Sequence, residues 1–592
     1  MRRYIILAAA LLACAAASAQ NLNPTVQVTN DYEGKLMEVE KQNVRMAVPD
    51  SLLRFDWDFN YSVFDNPYRG AYEFSPYRID MKPEATVRDN RRFYLRAGAG
   101  YTLHPEVQAV FTPAIKGKAG FSLYDDFKGY TGQYHRFTTV KGTSGNSLLD
   151  RSGEYKGHDF ANRLGGEFRY DAPTAVITFD AGLDLLRTGE YLFGGNSMTG
   201  GTATVRARSL GQSDFLYDVS AGWKGLGNNV LPLSSSSSKS DRYTEHDTGF
   251  DARFVYRLAD SHSIRFEPSF HHIVFGDNVV LSDGKPGKVV TNAVDIVPAY
   301  VYSDNGFSVR AGLRFSGVWK DSAFEDMADY DGRKLFPDFR LSYEAIPDML
   351  VLSAKVVGGQ RFNTYRSYLM DNHHLADAVS AQYRSVSGDA TVNALDAGLG
   401  VSGRVGSIFQ YGAEAGFARY LNAPMDGIST VYAPFDIVPQ EVPMPVILMA
   451  NYNLLYSDLN GSLASDRIDA SARLRLQDSR LETDAERTAF CVELPLFTGS
   501  AGFVYNWNRR VFAGLSAEWA SRREGELVDI SGKQADVHVP GWIDLGVNAE
   551  FKLNNRFSVW AEGRNLLNKT VMRNFMIAEK GPYFTAGICL NL

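Results

Sequence analysis

The sequence predicts an all-β fold: a transmembrane antiparallel β-barrel of about 22 strands. Three observations predict it. Near the end of the chain, Ile543, Leu545, Val547, Ala549, Phe551 and Leu553 share one parity, and Asp544, Gly546, Asn548, Glu550 and Lys552 share the other. A strand sends alternate side chains to opposite faces, so one face is apolar and the other polar or small. Such a strand, about ten residues long, is what a tilted bilayer crossing requires. The same period of two begins at residue 92 and recurs to the end, and the connections alternate between short turns and long loops.

Residues 1–19 read as an export signal. Arg2 and Arg3 give a basic start, Tyr4 to Leu12 an apolar core, and Ala17-Ser18-Ala19 a small-residue cleavage site before Gln20. Leu11-Leu12-Ala13-Cys14 also resembles a lipoprotein box, with Cys14 as the acylated residue, but Leu12 fits that box poorly. The formal charge is −7, and losing the two signal arginines makes the mature chain more acidic still. That excludes nucleic acid as a partner on electrostatic grounds. No later apolar run reaches eighteen residues, so no membrane helix is expected. A mean hydropathy of −0.22 suits a barrel, because lumen-facing residues dilute the lipid-facing ones. Cys491 and Cys589 are placed mid-strand, far apart, and imply no disulfide framework.

Residues 20–91 differ from the rest and are expected to form a periplasmic or lumenal segment. Prolines recur at Pro24, Pro49, Pro67, Pro76 and Pro83, and aromatic and acidic residues crowd together in Phe55-Asp56-Trp57-Asp58-Phe59-Asn60-Tyr61. Phe55, Trp57, Phe59 and Tyr61 are candidate docking residues for a lipoprotein or periplasmic partner, by strand addition or insertion into the lumen. Packing against the chain's own barrel is the equal alternative.

The barrel is expected over 92–592. Phe93, Leu95, Ala97, Ala99 and Tyr101 open the alternation. Ile177, Phe179, Ala181, Leu183 and Leu185, then Val309, Ala311, Leu313 and Phe315, continue it, with Asp180, Asp184, Arg310 and Arg314 on the opposite face. A soluble sandwich would share that alternation. The loops decide. Short turns fall at 171–173, 211–212, 260–261, 304–305, 346–348, 507–509 and 554–555. Long loops fall at 127–158, 188–199, 225–246, 276–290, 320–335, 360–390, 422–444, 522–540 and 567–581. Sorting of this kind is the signature of an outer-membrane barrel.

The stretch Trp560-Ala561-Glu562-Gly563-Arg564-Asn565-Leu566-Leu567-Asn568-Lys569, followed by Gly581-Pro582-Tyr583-Phe584-Thr585-Ala586-Gly587, resembles the end of TonB-dependent outer-membrane receptors, closest to the Bacteroides type. The resemblance covers the barrel and implies solute uptake across the outer membrane of a diderm bacterium. Two features depart from it. The chain ends in Leu592 rather than an aromatic residue, and only residues 20–91 precede the barrel, where the family carries a folded plug of well over a hundred residues. The apparent lack of a plug puts TonB coupling in doubt, although Val26-Gln27-Val28-Thr29 is superficially like a coupling peptide.

Site chemistry is sparse. Glu518, Glu550, Lys552, Glu562 and Arg564 are the candidate lumen-lining residues, set either along a solute path or in cross-strand pairs. His373-His374 is expected in a solvent-exposed loop, and His271-His272, on a strand, should point to opposite faces. No cofactor or metal site and no catalytic trio is selected by spacing, so the chain reads as a non-enzyme. Outer-membrane lipids are the expected surroundings. The alternative to transport is a non-transporting scaffold subunit of an outer-membrane complex.

Overall fold

The computed structural model describes residues 92–592, apart from 116, 142–146, 191–194, 212, 232–240, 281–285, 323–331, 375–389, 433–440, 483–490 and 529–533. The expectations for the signal, for residues 20–91 and for Phe55, Trp57, Phe59 and Tyr61 lie outside the described residues.

Strands follow one another along the chain. The first group is β1 (Phe93–Tyr101), β2 (Glu106–Phe111), β3 (Ala119–Lys141), β4 (Ser147–Asp171), β5 (Ala175–Glu190) and β6 (Gly195–Ser209). Next come β7 (Phe215–Leu231), β8 (Asp241–Ala259), β9 (His262–Val280), β10 (Pro286–Asp304), β11 (Phe307–Ser322) and β12 (Gly332–Ile346). A short helix, α1 (Tyr365–Asp371), separates β13 (Leu350–Phe362) from β14 (Ala390–Val405). Then follow β15 (Phe409–Tyr432), β16 (Glu441–Ala464), β17 (Ile468–Leu481), β18 (Phe497–Trp507), β19 (Val511–Ala520) and β20 (Arg523–Val528). The last are β21 (Gln534–Val539), β22 (Trp542–Lys552), β23 (Phe557–Arg564) and β24 (Tyr583–Asn591).

Each strand of the ring pairs antiparallel with its neighbours, and β1 pairs with β24 from Tyr94↔Asn591 to Tyr101↔Phe584. The final carboxyl-terminal residue joins this seam, since Leu592 N–H donates to Phe93 O at 2.8 Å and its carbonyl accepts from Phe93 N at 2.9 Å. Closure removes the free edge that an open sheet would present. Because β19 pairs directly with β22, the β20–β21 hairpin stands outside the ring, and twenty-two strands form the wall.

The outer surface is a belt of apolar side chains. On β5, Leu183 and Leu185 are 40 % and 41 % exposed while the carboxylate-bearing Asp184 between them is 3 % exposed. This is inside-out relative to a water-soluble protein, and it is what lipid on one side and a polar lumen on the other demand. Ile177 and Phe179, Leu313 and Phe315, and Val547 and Phe551 extend the belt around the ring. No helix among the described residues is long and apolar enough to cross a membrane.

The loop expectations need correction. Most of 188–199, 225–246 and 276–290 belongs to strands that continue above the belt, and β3, β4, β15 and β16 reach 23, 25, 24 and 24 residues. Above the belt there is no lipid, so neither face is held to an apolar pattern and the period of two fades. Turns missed in the sequence lie at 112–118, 406–408 and 465–467, and the long β17–β18 connection was missed as well. By the rule that such barrels have short periplasmic turns and long external loops, the long-hairpin end is called the outer mouth below.

Candidate functional site: the lumen wall and the roof of its outer mouth

The lumen wall is a chain of paired charges. Near the β1–β24 seam, Arg96 bonds Glu106 at 2.9 Å, lies 3.8 Å from Glu562, and stacks 3.8 Å over the Trp560 ring. Glu562 holds Arg564 at 2.5 Å, and Arg564 reaches Glu518 at 3.8 Å. Glu518 also pairs with Arg573 at 3.1 Å, and Arg573 closes on Asp544. Three of the five sequence candidates, Glu518, Glu562 and Arg564, are thus brought together. Glu550 accepts from Ser558 at 2.7 Å, and Lys552 lies 4.6 Å over the Phe512 ring, both nearer the short-turn end. Arg96 and Asp544 share the inward parity and were legible by it. Arg573 follows no strand period and was not.

A second network occupies β13 to β16. Lys355 bonds Asp396 and Glu414, each at 2.9 Å, and the Tyr456 hydroxyl lies 2.7 Å and 2.9 Å from the same two carboxyls. A third joins Arg310 to Glu267 at 2.8 Å and Asp338 at 2.7 Å. His271 Nδ1 is 3.0 Å from Asp247, whereas His272 contacts Asn292 at 2.8 Å, so the two rings do take opposite faces.

Above these networks the mouth is roofed by two apolar clusters. The first is centred on α1. Thr364 caps it, with Ser367 N–H donating to Thr364 Oγ1 at 3.1 Å and a reciprocal bond from Thr364 N–H. The wall completes the cap: Glu245 of β8 accepts from Tyr365 N–H at 2.5 Å and Arg366 N–H at 3.0 Å. Arg366 reaches across to Asp184 of β5, and Asn228 of β7 donates to the Tyr365 hydroxyl at 2.7 Å. Tyr365, Tyr368 and Leu369 then pack with Leu186, Met198, Leu226, Val230, Tyr243, Phe275 and Val289 from β5 to β10. Ile447, Leu448 and Met449 of β16 pack on the same cluster. In a ring of twenty-two, β5 and β16 stand eleven strands apart, on opposite walls.

His373 and His374 are not in a solvent-exposed loop. His373 Nδ1 lies 2.9 Å and His374 Nε2 3.4 Å from one Asp159 carboxylate on β4, and His374 is buried. Asn196 and Thr188 donate to the His373 carbonyl at 3.0 Å and 3.3 Å. Burial works against ionising Asp159, but the two imidazoles outweigh it and hold its carboxyl well below the ordinary range. Adjacency in sequence hid this, because the ligand they share is over two hundred residues away.

The second cluster is built on 565–582. Asn565 adopts a left-handed φ of 48°, and Asn568 one of 49°, a conformation that asparagine tolerates best among residues with a Cβ. The Asn565 side chain donates to Lys569 O at 2.8 Å and accepts from Lys569 N–H at 2.9 Å, which is the physical role of the Asn-Leu-Leu-Asn-Lys stretch. Met572, Phe575, Met576 and Ala578 then pack with Phe137, Leu149, Ile428, Val492, Val537 and Val539. Tyr134 belongs to a smaller cluster with Tyr130, Tyr155 and Ile577; its ring meets Tyr130 edge-on at 5.0 Å and His374 at 5.3 Å. Burial, and next the Arg151 charge, push the His135 imidazole below its ordinary value. Cys491 bridges to Gly427 rather than lying mid-strand, and burial pushes its thiol up to about 12, leaving it unreactive.

No family model and no curated protein matches this sequence. Solved structures do. The FrpB iron transporter from Neisseria meningitidis superposes with a TM-score of 0.63 at 12 % identity, over 86 % of this chain and 82 % of that one. The shared property is the fold. A ferric enterobactin receptor mutant from Pseudomonas aeruginosa, in complex with enterobactin, gives 0.62 at 11 % identity over 85 % and 81 %. The siderophore receptor PirA from Acinetobacter baumannii gives 0.58 at 12 % over 85 % and 80 %.

Proposed function

We propose that this chain is a TonB-dependent-receptor-like barrel in the outer membrane of a diderm bacterium, mediating uptake or passage of a solute too large for ordinary porins. The observation that carries this reading is the closed twenty-two-strand ring with a charged lumen wall, a fold shared with proteins described as iron transporters and siderophore receptors. Glu518, Glu562 and Arg564 would line the solute path, with Arg96 and Arg573 as their partners. Export would proceed by cleavage after residue 19, and the Asn565–Lys569 motif supports a Bacteroides-type ancestry. The acid-aromatic stretch at Phe55, Trp57, Phe59 and Tyr61 would dock a periplasmic or lipoprotein partner. Chemistry on a substrate is not part of the reading.

The test is growth of a deletion strain across nutrient sources, with solute retention by the purified protein. Loss of growth on one nutrient, restored by the gene, supports transport. Normal growth throughout, together with stoichiometric partners recovered in mild detergent, would favour the scaffold reading. The packed apolar roof is what motivates that second reading, since a non-conducting scaffold needs a sealed lumen.

A further inference from the structure

We propose that residues 363–374 form a built-in gate: an autoinhibitory strap that seals the outer mouth at rest and must leave the wall before a solute can pass. This deepens the transport reading above and rests on it.

The strap's route is one of closure. It leaves β13, and its last anchor is Asp159 on β4, nine strands away in the ring. Its apolar side fills the space between the β5–β10 wall and Ile447, Leu448 and Met449 of the facing β16.

Its attachment is of a kind that releases. Wall and strap meet through side chains: Glu245 on the first two helical amides, Asp184 on Arg366, and Asp159 on His373 and His374. Among the described residues, no backbone–backbone hydrogen bond ties the strap to the wall, only bonds within it such as Asn372 N–H to Tyr368 O at 2.9 Å. The second roof segment is the opposite. Leu566 N–H donates to Leu545 O at 3.0 Å, His135 N–H to Ala578 O at 2.9 Å, and Lys580 N–H to Gln133 O at 2.8 Å. One half of the roof is sewn to the sheet, and the other half is pinned to it.

The root of the strap is a hinge. Pairing of β12 with β13 stops at Asp338↔Val357, while β13 stays paired with β14 to Phe362↔Ala390. The register shifts between Val357 and Gly359, as at a β-bulge, and a side chain on Gly358 would meet the Phe336 ring at 2.9 Å. Just above the split, β12 carries Pro337, which has no N–H to offer a departing neighbour. Freed from β12, the hairpin turns inward until Phe362 rests on the His271 ring at 4.8 Å. Closing it leaves the Gln360 and Asn393 side-chain amides buried with no hydrogen-bond partner among the described residues. Buried, unpaired amides weigh against the closed arrangement and bring the open one within reach.

The test compares full-length protein in planar lipid bilayers with two variants, each first checked for barrel formation by heat-modifiable migration. In one, residues 364–374 become a Gly-Ser linker of equal length. In the other, Glu245→Gln and Arg366→Gln remove two pins and keep the length. The parent protein should be nearly silent, the linker variant should conduct at least tenfold more, and the double variant should flicker open. A linker variant as silent as the parent, or a parent already conducting at the linker level, overturns the gate. If the linker variant does not fold, the double variant decides: flicker supports the gate, and silence overturns it. None of these outcomes touches the nutrient-growth assay, which tests transport independently.

Discussion

The belt and the roof are made from the same strands and obey different rules. In the belt, Leu183, Asp184 and Leu185 alternate because lipid and lumen impose opposite demands at every step. In the roof, Tyr243 and Glu245 of β8 face inward onto α1, and what they meet there comes from more than a hundred residues away in the chain. The belt is therefore stabilised by hydrogen-bonded register plus lipid, and the roof by apolar packing and side-chain anchors. The lesson is that a wall and its closure are separable: the roof can loosen while the ring stays intact.

That separation can be broken or sharpened by substitution. Leu369→Ala, in the fully buried centre of the strap cluster, should cost about 2–5 kcal/mol as faster exchange of roof amides, with the ring's unfolding midpoint unchanged. Phe179→Arg, on the lipid face, should do the reverse. It should cost about 2–4 kcal/mol in reversible unfolding from lipid and leave roof exchange as it was. Arg564→Ala breaks the pair with Glu562 at a half-buried lumen site and should cost about 1 kcal/mol or less, read by the same unfolding assay.

The smallest effect divides the roof itself by pH. His135 has a lowered folded value, so its contribution is full above the ordinary value of about 6.5 and declines as pH falls below it. Asp159 has a lowered folded value too, but its contribution is full above the ordinary carboxylate value of about 3.9 and is lost only as pH falls towards its folded value. Between pH 7.5 and 5, exchange corrected for its intrinsic rate should quicken in 571–578, while 365–374 loses none of the Asp159 contribution.

What could be read in advance follows the same division. Strand existence, closure and the count near 22 were legible because lipid enforces a local period, and Glu518, Glu562 and Arg564 were legible by parity. The roof was not, since its partners are non-local: nothing near His373 and His374 announces Asp159. One signal was present and unused. Thr364 followed by Tyr365, Tyr368 and Leu369 has a cap and an i, i+3, i+4 apolar face, and it reads as a short amphipathic helix inside an assumed loop.

The most direct test of this account is hydrogen exchange on the full-length protein in lipid, followed across both roof segments. The account predicts that amides of Tyr365 to Leu369 and of Met572 to Ala578 are protected like those of the upper strands, with 365–369 exchanging first as the pinned half. Exchange of both at the rate of an unstructured loop would contradict it.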